Sequence, residues 1–224
     1  KLTPRREPRF YAWIAFDGGD MGSRIYGGQP LKLEMRNSEL HGYNPSLFNR
    51  DNCVTGYLSQ KFIEPTFAWT ASAEEKQDKP RPLIRMAELY LNLAECYAAL
   101  DEVPQALAQL NIVRKRAGIR ELTTSDVTDD MPIMKWVQNE RFVELWGEGH
   151  RYYDIRRWMI APEYMSAGVR RGLNAMSKLD PSFEEFNTPV VISQDFKWTN
   201  RMYFLPVFEN EVYKNPQLIQ APGY

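Results

Sequence analysis

Residues 83–118 read LIRMAELYLNLAECYAALDEVPQALAQLNIVRKRAG, and the apolar spacing in this stretch decides the fold class. Leu83, Met86, Ala87, Tyr90, Leu93, Ala94, Tyr97 and Leu100 recur at steps of three and four, the period that lines one side of an α-helix. Asp101-Glu102-Val103 interrupts the pattern. Pro104 then suits the first turn of a second helix, where its missing N–H costs nothing. Ala106, Leu107, Leu110, Val113 and Ala117 form a second stripe, and Gly118 supplies a left-handed cap. So short a turn makes the two helices antiparallel neighbours.

The small and large residues of this hairpin (Ala94, Tyr97, Ala106, Leu110) follow a tetratricopeptide-like pattern, and one such unit cannot bury both of its faces alone. Downstream, a polar connector over Thr123–Asp130 leads to a third helix expected over Ile133–Trp146, with a short fourth helix over 150–160. Upstream, glycines and prolines break residues 1–80 into loops. Within them FYAWIAF (10–16) is apolar throughout and reads as a buried strand, Asp17-Gly18-Gly19-Asp20 as a turn, and Thr55–Ile63 as a second strand. Cys96 falls inside the first helical pattern and reads as a small buried side chain. Trp13, Trp136, Trp146 and Trp158 read as core. The expectation is a mainly α fold, tetratricopeptide-like hairpins with long irregular loops. It divides into a loop-rich segment (1–80), a helical core (81–160) and an irregular C-terminal segment (161–224), all of one domain.

Composition narrows the function. The 28 basic and 29 acidic residues leave a net charge of −1, without the basic excess of a nucleic-acid binder. Hydrophobic residues at 43% are enough for an ordinary core, and no apolar run approaches a membrane span. Two cysteines and two histidines, scattered along the chain, do not have the spacing of a zinc site, so no metal or cofactor is expected.

Residues 140–158, ERFVELWGEGHRYYDIRRW, carry the densest charge. Stepping by four from Trp136 lands on Glu140, Glu144 and Glu148, a ridge of carboxylates that repel unless cations sit nearby. Arg85 and Arg114 on the preceding helices are the expected donors. Glu148, Arg151, Asp154 and Arg157 alternate in sign at steps of three. A catalytic carboxylate pair would have to flank a bond from two sides, which one helix face cannot do. A metalloprotease motif would need a second histidine four residues from His150. The preferred reading is a structural ion network of Glu140, Arg141, Glu144, Glu148, Arg151, Asp154 and Arg157, buried and therefore paired.

These blocks resemble the SusD/RagB family. PLIRMAELYLNLAE (82–95) is similar to the first half of a family signature, and LNIVRKRAG (110–118) to its LNxVRxRAG helix. Residues 140–158 resemble its ER-x-x-E-x-x-x-EG-x-R-x-x-D-x-x-RW block, and 204–224 its C-terminal LPIP…E…NP-x-L-x-QNPGY. Pro8-Arg9-Phe10-Tyr11 and Thr55-Gly56-Tyr57-x-x-x-Lys61-Phe62 resemble the family's DPR-F and TGY-x-x-x-KF. Glu7 stands where the family has Asp, and Ala221 where it has Asn. The resemblance implies a non-catalytic, surface-exposed outer-membrane lipoprotein of Bacteroidetes that captures glycans under a SusC-like TonB-dependent transporter partnership. It also implies that this chain is the C-terminal portion, with the lipid anchor on an N-terminal part not included. RagB-type relatives that deliver peptides are the alternative.

Sugar capture needs flat apolar faces and planar polar groups. Outside the helical stripes, Trp69, Tyr43 and Phe48 are the candidate stacking residues, with Asn44 and Arg50 as polar partners. Trp69, among small residues, reads as an exposed tip. Exposed aromatics beside Asn and Arg would favour sugar, and an apolar trough would favour peptide.

Overall fold

The computed structural model describes residues 6–25, 29–47, 52–63, 68–69, 82–165, 170–193 and 197–224. It is mainly α, with short strands in the loop-rich segments. Helices α2 (Met86–Ala99) and α3 (Val103–Arg116) form the antiparallel hairpin, and α4 (Ile133–Glu144) packs across both. Ala94 and Ala106 are fully buried, and their small side chains let α2 and α3 approach closely. Leu91, Leu110, Val113 and Val137 fill the space between the three helices.

The hairpin turn has a particular solution. Asp101 adopts the left-handed conformation at φ 58°, which aspartate tolerates better than most side chains, and the Glu102 N–H reaches back to the Tyr97 carbonyl. Gly118 ends α3 at φ 70°, with the Ile119 N–H bonded to the Arg114 carbonyl, a Schellman-type closure. Arg114, Lys115 and Arg116 crowd this last turn, where the helix dipole favours cations.

The expected apolar stripe on α2 divides in two. Ala87, Leu91 and Ala94 face the core, whereas Met86, Leu89, Leu93 and Leu100 are exposed, and Leu83 before the helix is almost fully so. Cys96 lies on that outer face and is exposed rather than buried. One helix carries two apolar faces, and a single hairpin covers only one of them.

The loop-rich segment also departs from expectation. The FYAWIAF run is divided between a short helix, α1 (Pro8–Trp13), and strand β1 (Ile14–Ala15). An all-apolar run has no period to separate helix from strand, and Pro8 in the first turn tips the start toward helix. Of Thr55–Ile63 only β4 (Leu58–Ser59) is strand, paired antiparallel with β1. Strands β2 (Asp20–Ile25), β3 (Gln29–Lys32) and β5 (Ala68–Trp69) form a three-stranded sheet in the order β3-β2-β5.

Beyond α4, Gly147 (φ 78°) and Gly149 (φ 87°) turn the chain into α5 (His150–Arg157) and α6 (Ala161–Met165). Residues expected to be irregular then form β6 (Arg170–Leu173), α7 (Phe183–Asn187) and β7 (Pro189–Ser193), with β6 and β7 antiparallel. A capping box between Ser182 and Glu185 starts α7. A second small core joins this unit to the N-terminal loops: Ala15, Leu33 and Met35 meet Leu173, Ala175 and the fully buried Phe186. The last helix, α8 (Glu209–Lys214), lies in an exposed C-terminal tail. Among the described residues no helix is long and apolar enough to cross a membrane.

Candidate functional site: a polar cleft on a charge-locked frame

The carboxylate ridge of α4 is the joint on which the loops are mounted. Glu140 and Glu144 are 2% and 0% exposed, a burial that a carboxylate tolerates only when its lone pairs are filled. Arg9 of α1 supplies the first cation: its Nη1 donates to Glu140 Oε1 at 2.6 Å and to Glu144 Oε2 at 3.1 Å. Its other nitrogens hold Glu7. Arg114 donates to Glu140 at 2.9 Å, and Arg85 and Arg116 to Glu144 at 3.0 and 2.5 Å.

Lys61, just after β4, closes the end of α4. Its ammonium donates to the Glu144 and Trp146 carbonyls at 2.7 and 2.9 Å and to Glu148. A cation there meets the negative end of the helix dipole. Burial alone would raise the Glu148 pKa, and the bonds from Arg85 and Lys61 outweigh it, so the group sits below its ordinary value. Trp13, half-buried rather than core, covers the Lys61 ammonium with its ring centroid at 4.0 Å.

A second cluster ties α5 to α2 and α4. Arg141 reaches Asp154 and the Asn92 side-chain oxygen. Arg157 bridges Asp154 and Glu95, and the Trp158 indole N–H donates to Glu95 at 2.8 Å. Six residues of the expected network therefore lie in these two clusters. Arg151 does not: its guanidinium lies between the rings of Phe142 (4.4 Å) and Tyr164 (4.2 Å). Alternating sign at steps of three suggested an ion pair, but Asp154 is taken by Arg141 and Arg157, and Arg151 is turned to the rings instead. His150 is partly exposed, with Nε2 at 3.7 Å from a Glu88 oxygen. Trp136, Trp146 and Trp158, also expected in the core, are likewise half-buried.

Sequence reasoning named Arg85 and Arg114 as donors and missed Arg9, Lys61 and Arg116. The signal lay in the motifs themselves: PRF, TGYxxxKF, the two hairpin blocks and the ER…E…EG block meet at this one charge centre.

The lock fixes α1, α1 runs directly into β1, and the turn after β1 forms one wall of a cleft of about 680 Å³. Asp17, Lys32, Glu34, Arg36, Asn37, Glu39 and Asp180 line it, with Leu33 and Pro181 as its apolar patches. Asp17 braces the wall by accepting the Met35 N–H at 2.9 Å and the Arg36 Nε–H at 2.8 Å. Asp180, at φ 48°, accepts the Ser38 N–H at 2.8 Å and joins the far loop to the near one. The Leu33 backbone pairs with Gly18 and Gly19, and its side chain reaches the second core. Lys32, Glu34 and Glu39 are exposed along the cleft. A smaller apolar recess of about 300 Å³ lies between α1 and α4, walled by Phe10, Trp13, Phe142 and Trp146.

Tyr43 and Asn44, the expected ligand residues whose side chains are described, do not line the polar cleft. Tyr43 and Asn44 are half-buried on the loop that follows the cleft wall. Asn44 organises that loop, its Oδ1 accepting the Ser46 N–H and its backbone exchanging bonds with Asn52. Trp69 belongs to strand β5, in register with Ile25, and is not a loop tip. Phe48 and Arg50 lie outside the described residues. Among the described residues no group of three or more His, Cys, Asp or Glu side chains is placed to hold a metal ion.

The whole chain, residues 1–224, matches the model of the SusD family. A solved structure described as BT4246 is 57% identical, with a TM-score of 0.90 over 98% of this chain and 36% of that one. A SusD-like protein from Bacteroides fragilis is 29% identical, with a TM-score of 0.78 over 98% of this chain and 39% of its own. SusD-like protein P25 of Formosa agariphila is 36% identical over 49% of this chain and 22% of its own length. The chain thus spans little more than a third of these relatives' solved structures. A match along its full length makes this chain a member of the SusD family.

Proposed function

We propose that this chain is part of a cell-surface binding protein that captures glycans without turning them over and delivers them to a SusC-like TonB-dependent transporter. On this reading the protein sits on the extracellular face of the outer membrane, held by a lipid anchor outside the present residues. Family membership supports this reading. The observation that carries its glycan part is the braced cleft, whose lining of carboxylates, amide and cations suits a ligand covered in hydroxyls. The ridge carboxylates are saturated by arginines and Lys61, which suits them to hold the frame rather than to move protons. Tyr43 is kept as a proposed stacking residue beside the cleft, with Trp69, Phe48, Asn44 and Arg50 as further proposed contacts.

The apolar recess beside α1 favours a second reading, in which an apolar side chain of a peptide cargo is seated there. Calorimetric titration of the full-length protein against polysaccharides and against peptides separates the two. Binding to one polysaccharide class, with the sugar recovered intact, is the expected result. Binding to peptides alone would replace glycan capture with peptide capture, and hydrolysis of a bound glycan would overturn the non-catalytic assignment.

A further inference from the structure

We propose that the cleft selects glycans that carry no anionic substituents. This rests on the glycan-capture reading and concerns the same cleft. Six charged side chains line it. Arg36 is committed to Asp17 through a 2.8 Å ion pair, so its charge is cancelled within the wall. What remains to face a ligand is the Lys32 ammonium against the carboxylates of Glu34, Glu39 and Asp180. A carboxylate accepts hydrogen bonds and, when ionised, offers none. It therefore suits the hydroxyls of a neutral sugar, which donate. The carboxylate of a uronate, or a sulfate ester, offers acceptors where a hydroxyl would donate and adds a like charge, and both count against it.

The frame makes this preference hard to escape. Asp180 is held by the Ser38 N–H and Asp17 by the Met35 N–H, so the walls cannot swing away from an incoming anion without breaking those bonds. Glu34 and Glu39, by contrast, are exposed. They can be neutralised without disturbing the core, which makes the proposal testable.

The test is calorimetric titration of the full-length protein with neutral glucans, mannans and galactans, with uronate- and sulfate-bearing polysaccharides, and with the C6-carboxylated derivative of whichever neutral polymer binds. Binding of a neutral polymer, with its carboxylated form at least tenfold weaker, is the expected result. The double variant Glu34→Gln, Glu39→Gln removes two of the three like charges and should narrow that gap by about fivefold or more; the readout is the ratio of the two affinities, whatever the change in neutral binding. Equal or tighter binding of anionic polymers would overturn the selectivity and leave glycan capture standing. A gap untouched by the double variant would overturn the assignment to this cleft. Failure to bind any polysaccharide would sink the capture reading itself.

Discussion

Replacing Arg9 with Met tests the charge lock most directly. Arg9 is 5% exposed and bonds to both Glu140 and Glu144. Methionine keeps most of its volume, so the loss is one of charge and hydrogen bonds. Glu144 would retain Arg85 and Arg116, but Glu140 would be left with Arg114 alone. Breaking a buried pair costs about 3–5 kcal/mol. The remaining donors put this variant at the low end, about 3 kcal/mol. For a chain of 224 residues that is a fall in Tm of roughly 6–12 °C. Arg151→Met is the internal control. Arg151 touches two half-exposed rings, and exposed cation–π contacts are worth about 0.5–1 kcal/mol each, so its loss should stay near 1–2 kcal/mol. Urea and thermal melts followed by circular dichroism measure both. A cycle with Glu140→Gln should return a coupling of about 1–3 kcal/mol with Arg9. If Arg9→Met costs no more than Arg151→Met, the ridge is solvated and the reasoning fails.

Further outcomes follow from other parts of the fold. Leu91→Ala, at a fully buried site between the helices, should cost about 2–5 kcal/mol in denaturant melts. Gly118→Ala should cost about 1–2 kcal/mol, the strain of a left-handed alanine whose Cβ meets only Pro8 Cγ, at an ordinary 3.6 Å; Gly56→Ala should cost more, because its new Cβ would lie 2.8 Å from the Leu173 Cβ. Comparable losses at the two glycines would refute the packing of the TGY turn on β6. Stability should also depend on acid. Glu95 is lowered like Glu148: burial opposes the charge, and Arg157 and the Trp158 indole more than offset it. Groups lowered on folding contribute fully above their ordinary value near 4.5 and lose that contribution as pH falls through the lowered one. The Tm should hold from neutral pH to about pH 5 and fall below that, and Glu148→Gln should lessen the fall. An unchanged profile in that variant would contradict the role given to the Lys61–Glu148–Arg85 bridge.

The sequence was most legible where periodicity is strong. The hairpin follows from apolar spacing and from Gly118, the start of α4 from the polar connector before it, and the need for Arg85 and Arg114 from three carboxylates on one ridge. Residue spacing could not point to Arg9 and Lys61, whose partners lie 131 and 87 residues away; only the motifs that hold them set them apart. Burial of Cys96 was misjudged because an apolar position on a helix does not say which of two apolar faces the fold will cover. The cleft was missed because it is built of ordinary polar residues from the turn after β1, the end of β3 and the loop before α7, with nothing local to set them apart. Aromatic rings are the usual sign of a sugar site, and the one candidate ring whose side chain is described, Tyr43, does not line the cleft.

The charge lock also orders events in time. The pairs that meet Glu140, Glu144 and Glu148 span 26 residues from Arg114, 63 from Arg85, 87 from Lys61 and 131 from Arg9. Closing a loop costs more entropy as it lengthens, so the pairs from Arg114 and Arg85 close at the least cost and those from Lys61 and Arg9 at the greatest. The hairpin and α4 can therefore nucleate by themselves, Arg85 joins them, and Lys61 and Arg9 then draw the loop layer down onto a surface already formed. Variants at Leu110 and Val137 should slow folding, whereas Arg9 variants should mainly hasten unfolding. On this order of events the cleft, carried on the loop layer, is expected to be finished last.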